Sequence, residues 1–310
     1  MGKVYDVIIV GGGPAGLTAA VYARKRLMTT LVLTMDIGGQ VLLTEHIDNY
    51  LGYLEKSGLG LAAVFERQAR EYGAEFVISE VRMVEKEGSL FRVSSTAGDF
   101  LGRAVIVTGG RKPRRLCVPG EERFLGRGVN VSLKCDPSQA SGKAVAIVGG
   151  GNTALQRAEM LSTAASRIYI VHRREEFRGD EMTLVRVRKI PNVEFLLNTV
   201  IMEFRGGDSL SSVLLKNLKT GEERELKVDM VFLDIGRDIK LEYVQHLVRT
   251  NSEGRIITDK YGRTSCEGIF AAGDVTDTPY AQVIIAAGQG AAAALTAYSY
   301  VKKKPGDICY

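Results

Sequence analysis

Val7-Ile8-Ile9-Val10-Gly11-Gly12-Gly13-Pro14-Ala15-Gly16 is the stretch from which the fold follows. Its run of β-branched apolar residues reads as a strand buried on both faces. The run breaks into glycines, and Ala19, Ala20 and Ala23 then supply helix formers. Gly11, Gly13 and Gly16 have the G-x-G-x-x-G spacing, which serves a tight turn, a close approach to a pyrophosphate and close helix–strand packing. The anion then rests on the helix N-terminus, where free N–H groups and the dipole favour negative charge. Alone the spacing is weak; after a strand and before a helix it marks a dinucleotide site rather than a plain glycine turn.

Working outward, Thr30 to Leu33 reads as the second strand. Asp36 follows about 20 residues after the glycine turn, the place of a ribose-binding acid, although a loop acid fits the same position. Leu61, Val64, Phe65 and Ala69 fall at helical spacing and run to Gly73 as a C-cap. Short β-rich runs at Glu75–Ser79, Leu90–Ser94 and Ala104–Thr108 close at Gly109-Gly110. Arg111 to Pro119, basic and with two prolines, suits a crossover between domains.

A second strand–turn–helix begins at Ala144–Val148 and continues through Gly149-Gly150-Gly151-Asn152-Thr153-Ala154, with Ala158 to Ala165 extending the helix. This is G-x-G-x-x-A, a variant of the same fingerprint. Ile168 to Val171 is the next strand, and His172-Arg173-Arg174 with Arg178 follow it. Positive charge where an NAD site has an acid suits a 2′-phosphate. Charge-assisted hydrogen bonds are worth about 1.5–3 kcal/mol each, so two or three such contacts favour NADPH over NADH on the order of 100-fold or more. A solvated basic segment is the plainer alternative.

A β-rich stretch follows, at Val193–Leu197, Ser212–Leu215 and Asp229–Ile235, with a hairpin turn at Thr220-Gly221; Gly236 to Lys240 is the return crossover. Gly268-Ile269-Phe270-Ala271-Ala272-Gly273-Asp274-Val275 puts a carboxylate at the carboxyl end of a strand, where open α/β sheets bind ligands. Two nucleotide fingerprints that differ in strand-end charge point to a flavin exchanging electrons with a nicotinamide nucleotide.

Composition agrees. The chain has 310 residues, room for about two domains. With 45% apolar and 25% charged residues it has the balance of a globular protein. A net charge of +5 and the absence of Trp give no case for nucleic acid, although the charge suits an acidic partner. No run is apolar and long enough to span a membrane; Gly288, Gln289 and Gly290 interrupt the alanine-rich segment Ala286–Ala297. The four cysteines Cys117, Cys135, Cys266 and Cys309 have no C-x-x-C or metal spacing. The first residues lack a signal-peptide pattern, so a cytoplasmic protein with free thiols and no metal is the expectation.

On Gly11–Gly16, Gly39-Gln40, Asn49, Gly149–Ala154, His172-Arg173-Arg174 with Arg178, and Gly268–Val275, the chain resembles the low-molecular-weight thioredoxin reductases over essentially its whole length. The resemblance implies an α/β fold of two Rossmann-like, three-layer nucleotide-binding domains. A discontinuous FAD domain, residues 1–112 and 240–310, would flank an inserted NADPH domain, residues 113–239. It implies Gly11, Gly13, Pro14, Ala15, Gly16, Asp36, Gly39, Gln40, Asn49, Gly273, Asp274 and Gln282 around FAD. It implies Gly149, Gly151, Asn152, Thr153, Ala154, His172, Arg173, Arg174 and Arg178 around NADPH. It also implies a homodimer whose NADPH domain rotates to present either nicotinamide or redox cysteines to the flavin.

Three departures shape the functional expectation. The family's Cys-x-x-Cys-Asp appears as Ser132-Leu133-Lys134-Cys135-Asp136, so the outer sulfur is a hydroxyl while Cys135 and the acid remain as catalytic candidates. Leu133, Lys134 and Pro137 also differ from the family, which argues against a single engineered substitution at Ser132. Gln156 and Arg157 stand where the family has an acidic pair, and Tyr280-Ala281-Gln282 stands for Tyr-Arg-Gln. The expectation is a flavoenzyme passing electrons from NADPH through FAD to an acceptor without its own dithiol. That acceptor is a small molecule or an acidic redox protein, as in the ferredoxin or flavodoxin:NADP reductases of this fold. A disulfide reductase using Cys135 with an external thiol, and a non-enzymatic redox sensor, are the alternatives.

Overall fold

A computed structural model describes residues 3–43, 47, 49–55, 57–131 and 136–302. The expected α/β architecture is present. The described chain forms two compact units, residues 1–112 with 239–310 and residues 113–238.

The first unit opens with β1 (Val4–Gly12), α1 (Pro14–Lys25), β2 (Thr30–Ile37), α2 (Gly58–Glu71), β3 (Glu75–Ile78), β4 (Val81–Glu87), β5 (Leu90–Ser95) and β6 (Gly98–Val107). β7 (Lys112–Pro113) leads into the second unit. That unit holds α3 (Glu121–Phe124), β8 (Val129–Asn130), β9 (Ala144–Val148), α4 (Asn152–Leu161), β10 (Arg167–His172), α5 (Glu181–Arg188), β11 (Val193–Leu197), β12 (Thr199–Gly206), β13 (Leu210–Asn217), β14 (Glu223–Lys227), β15 (Met230–Leu233) and β16 (Arg237–Asp238). β17 (Ile269–Ala271) and α6 (Val283–Val301) complete the first unit.

In the first unit the strand order is β3-β2-β1-β6-β5-β4. β1 lines one edge of β6, and the other edge is divided between two partners. Its first half pairs antiparallel with β5, and Val105–Val107 pair parallel with β17. Side chains alternate across β1: Val7 and Ile9 face α1 and α6, while Ile8 and Val10 face Val84, Phe91 and Val244. Val7, Ile8 and Ile9 are fully buried, which stabilises the fold by about 1.5–3 kcal/mol per side chain. Small residues let the two helices meet: a Cβ on Gly290 of α6 would overlap the Ala15 carbonyl oxygen of α1.

The second unit is a parallel sheet of order β11-β10-β9-β15-β8. Val145, Ile147, Ile168 and Ile170 pack under α4 and α5; Ala146, Val148, Val171 and Val231 pack on the antiparallel β12–β14 layer.

Among the boundaries that differ from the sequence reading, two bear on the glycine turns. β2 runs to Ile37 rather than Leu33, because Thr34 still pairs with Ile78 and Gly12 with Ile37. Asp36 therefore lies within the strand rather than after it. α4 ends at Leu161 rather than Ala165: the hydroxyls of Ser162 and Thr163 donate to the Glu159 and Met160 carbonyls, a local competition that favours termination.

Candidate functional site

At the carboxyl ends of β1, β2, β6 and β17 four segments meet around the first glycine turn. Each fingerprint glycine there has its own constraint. Gly11 has φ +118° and a Cβ on it would lie 2.5 Å from the Thr108 carbonyl oxygen. A Cβ on Gly16 would overlap the Gly11 carbonyl oxygen, whereas one on Gly13 would meet nothing within 4 Å. The middle glycine thus faces open space at the mouth of α1. Pro14 starts that helix without an N–H of its own, and no side chain caps it. The free N–H groups and the open Gly13 surface form a cradle for an anion that a Cβ would fill.

Neighbouring residues close around it. Gly38 N–H donates to Gly12 O at 2.8 Å, and a Cβ on Gly39 would stand 3.1 Å from Gly13 Cα. Asp36 Oδ1 accepts from Gly39 N–H at 2.8 Å, so one carboxylate oxygen holds this loop. Gln40 reaches towards Gly110. Asn49 Nδ2 donates to Gln282 Oε1 at 3.0 Å, joining residues from opposite ends of the unit. Gly273 packs against Ala15 with φ +81°, and the half-buried Asp274 accepts at its backbone oxygen from Arg111 Nε at 3.0 Å.

Sequence reasoning passed over two parts of this cradle. Thr108 Oγ1 donates to the carbonyls of Val10 and Gly11 at 3.0 and 2.9 Å, fastening β6 to the turn. Gln289 Oε1 accepts from Gly273 N–H at 2.9 Å. A threonine at a strand end before Gly-Gly was the available signal for the first; nothing local marks the second.

The second unit repeats the arrangement at α4. Gly149 has φ +154°, and a Cβ on it would collide with the Asp234 carbonyl oxygen. Gly151 faces open space, and α4 has no side-chain cap. Ala154 is buried beneath the turn, Thr153 is exposed, and Asn152 Oδ1 accepts from Asp180 N–H at 2.6 Å. Arg178 N–H and Gly179 N–H both donate to Gly150 O, folding the basic loop back onto the glycines.

His172 lies against Gly150, its Nε2 paired with the Glu176 carbonyl at 3.0 Å and its ring 4.8 Å from that of Phe177. Burial, with the nearby charges of Arg174, Arg173 and Arg178, holds this imidazole below its usual range; the Glu176 carbonyl opposes them. It is neutral at pH 7. Arg173, Arg174 and Arg178 are exposed, and their guanidinium groups enter no ion pair among the described residues. An anion of about two charges could be gripped here by forked donors.

Gln156 and Arg157 part ways in the structure. Gln156 is exposed, whereas Arg157 is buried and grips Asp234 with two hydrogen bonds, Nε to Oδ2 at 2.6 Å and Nη2 to Oδ1 at 3.0 Å. Its guanidinium also lies 4.5 Å from the Phe232 ring centre. The basic residue at this position is therefore internal to the unit, a pairing that spacing alone could not disclose.

Ser132 to Cys135 lie outside the described residues, as does Cys309. Asp136 caps a short 3₁₀ turn, its Oδ1 accepting from Ser138 N–H at 2.9 Å. That N–H holds the carboxyl below its usual range, so it is ionised near neutrality. Cys117 and Cys266 are free. Among the described residues no cluster of acidic, His or Cys side chains could hold a metal ion, and no helix is long and apolar enough to cross a membrane.

Residues 5–290 match the family model described as pyridine nucleotide-disulphide oxidoreductase. The chain is similar to the thioredoxin reductase of Treponema pallidum, 40% identical over 299 residues that cover 96% of this chain and 97% of that protein. Among solved structures it is similar to the Lactococcus lactis thioredoxin reductase, with a TM-score of 0.75 and 35% identity over 96% of this chain and 99% of that one. It is also similar to a ferredoxin-flavin thioredoxin reductase from Clostridium acetobutylicum, with a TM-score of 0.55 and 30% identity over 97% and 99% of the two chains.

Proposed function

The chain belongs to the pyridine nucleotide-disulphide oxidoreductase family and, within it, to the low-molecular-weight thioredoxin reductases, and we propose that it oxidises NADPH and reduces an acceptor without a dithiol of its own. It is an NADPH-dependent flavoprotein oxidoreductase, and FAD and NADPH are the cofactors of its family. In the proposed assignment the first cradle holds FAD and the second holds NADPH. When bound, FAD supplies the two-electron chemistry that links reduced nicotinamide to the acceptor. The chain's own residues bind and orient. The α1 N-terminus and the open Gly13 would receive the FAD pyrophosphate, Asp36 and Asp274 would accept from its hydroxyls, and Asn49 and Gln282 would add polar contacts. In the second unit Gly151 leaves room for the other pyrophosphate, and Arg173, Arg174 and Arg178 take the 2′-phosphate.

The observation that carries the reading is Ser132, standing where the family has its outer cysteine, in a chain that keeps both cradles. A hydroxyl cannot form a disulfide, so the two electrons from NADPH must leave by another route. The name of the Clostridium acetobutylicum relative, a ferredoxin-flavin thioredoxin reductase, couples ferredoxin with flavin, which supports a redox protein as acceptor or donor. The net charge of +5 suits such a partner. A cytoplasmic homodimer completes the proposal.

One observation favours a second reading. Cys135 and Asp136 are retained, and a single thiolate could attack an external disulfide, forming a mixed disulfide with one of its sulfurs and releasing the other as a thiolate. Asp136, ionised and engaged as a cap, is poorly set to donate a proton to such a sulfur. The two readings separate on anaerobic reduction of the flavoprotein by NADPH followed by a panel of acceptors. Reoxidation by ferredoxin, flavodoxin or a quinone and none by disulfides supports the first; the reverse pattern overturns it.

A further inference from the structure

The basic loop after β10 carries its own acids. In His172-Arg173-Arg174-Glu175-Glu176-Phe177-Arg178 two carboxylates stand beside three arginines. An arginine fork fits a carboxylate as well as it fits a phosphate. A loop of this composition could satisfy its guanidinium groups internally and leave none for a 2′-phosphate. The structure shows a different pairing.

Glu175 is drawn to the antiparallel β12–β14 layer. Its Oε1 accepts from Lys219 Nζ at 2.5 Å and from Asn198 Nδ2 at 3.2 Å. Lys219 and Asn198 hold this carboxyl below its usual range, so it is ionised at neutral pH. Both partners come from fixed turns. Asn198 joins β11 to β12 with φ +51°, a left-handed conformation in which asparagine is enriched. Its N–H points at the Arg174 carbonyl at 3.5 Å, and its own carbonyl accepts from Leu218 N–H at 2.6 Å. Lys219 lies in the turn between β13 and β14, where Asn217 Oδ1 accepts from the Lys219 and Thr220 N–H groups at 2.9 and 3.1 Å. Two turns of the layer thus converge on one carboxylate oxygen.

Stability does not account for this arrangement. The Lys219 and Glu175 side chains are 62% and 59% exposed, and ion pairs on an open surface contribute little to folding. Its consequence is for the arginines. Among the described residues Glu175 pairs with Lys219 and with no arginine, although Arg174 is its neighbour in the chain.

We propose that Lys219 and Asn198 are positioning residues for nucleotide choice: they sequester the Glu175 carboxylate and so keep the neighbouring arginines open to the 2′-phosphate of NADPH. This rests on the assignment of Arg173, Arg174 and Arg178 to that phosphate. Released from the clasp, Glu175 competes with the phosphate for the same donors. NADH has no 2′-phosphate and is indifferent to the competition.

The test uses the full-length flavoprotein, with calorimetric titration of NADP⁺ and NAD⁺ as a readout that needs no turnover. Lys219→Met keeps the stem and removes the charge; Asn198→Gly removes the amide and accepts the positive φ. Each is expected to raise the NADP⁺ dissociation constant roughly threefold to tenfold, the weight of about one net hydrogen bond. The NAD⁺ constant and the melting temperature are expected to stay unchanged. Adding Glu175→Gln to Lys219→Met is expected to return NADP⁺ binding to the native value, because the competing acid is gone. Adding Glu176→Gln instead is expected to restore nothing, because that side chain enters no ion pair with Lys219. Unchanged NADP⁺ affinity in Lys219→Met overturns the inference, and so do parallel losses for NADP⁺ and NAD⁺. Equal rescue by Glu176→Gln overturns it too, since local net charge alone would then explain the loss. If the native chain binds NAD⁺ as tightly as NADP⁺, the assignment of the arginines falls and the clasp's role with it.

Discussion

Arg157 and Asp234 form a bidentate ion pair inside the second unit, with side-chain exposures of 2% and 4%. The pair ties α4 to the chain just beyond β15. The Asp234 carbonyl oxygen is the group that forbids a side chain on Gly149. One residue thus braces the second glycine turn through its backbone and anchors the following helix through its carboxylate.

Asp234→Ala leaves a buried guanidinium without its counter-ion, a loss of about 3–5 kcal/mol. NADPH affinity should fall while FAD content is retained, because the change lies wholly in the second unit. Replacing both partners by apolar residues of similar volume should cost much less. Calorimetry with separate titrations of the two cofactors checks each part.

The fingerprint glycines should respond in opposite ways. Gly13→Ala meets open space, so the protein should fold normally and lose FAD during purification. Gly16→Ala drives a methyl into the Gly11 carbonyl and should destabilise the unit by about 1–3 kcal/mol. Flavin occupancy measured beside the melting temperature separates the two.

Nucleotide choice should reside in the basic loop after β10. Arg173→Ala combined with Arg174→Ala should weaken NADPH on the order of 100-fold and leave NADH nearly unchanged. Equal losses for both nucleotides would make the cluster structural only. The steady-state KM for each nucleotide, with a dye as acceptor, is the measurement.

His172 sets a pH dependence. Its folded pKa lies below the unfolded value of about 6.5, so the folded state binds fewer protons than the unfolded one in the window between the two. Stability is therefore lost as the pH falls through that window and regained as it rises. His172→Gln should flatten the slope there. It should leave untouched the losses below about pH 4.5 from Glu159, Glu175, Asp136 and Asp180, whose partners hold them low. Melting temperatures from about pH 7.5 down to about pH 2.5 resolve the two windows.

The glycine turns, their strands and the basic loop were legible in the sequence because steric demands leave few alternatives at those positions. β4 was not: Val84 is its one buried residue, so no alternation marks the strand. Nor could spacing disclose that Arg157 points inward to Asp234, or that Lys219 reaches Glu175. Those relations depend on tertiary contacts between residues 77 and 44 positions apart, for which the chain carries no local pattern. Asp36 illustrates an intermediate case: the sequence reading puts it after the second strand, whereas it lies within β2, and its hydrogen bond to Gly39 appears only once the loop is folded.

The central claim is that Ser132 removes disulfide chemistry from an otherwise complete NADPH–FAD machine. Thioredoxin-coupled disulfide reduction by the native chain, run beside NADPH-to-dye turnover on the same preparation, tests it most directly. The account predicts dye turnover that survives Cys135→Ala and no thioredoxin-dependent reduction. Robust thioredoxin reduction that Cys135→Ala abolishes would contradict it.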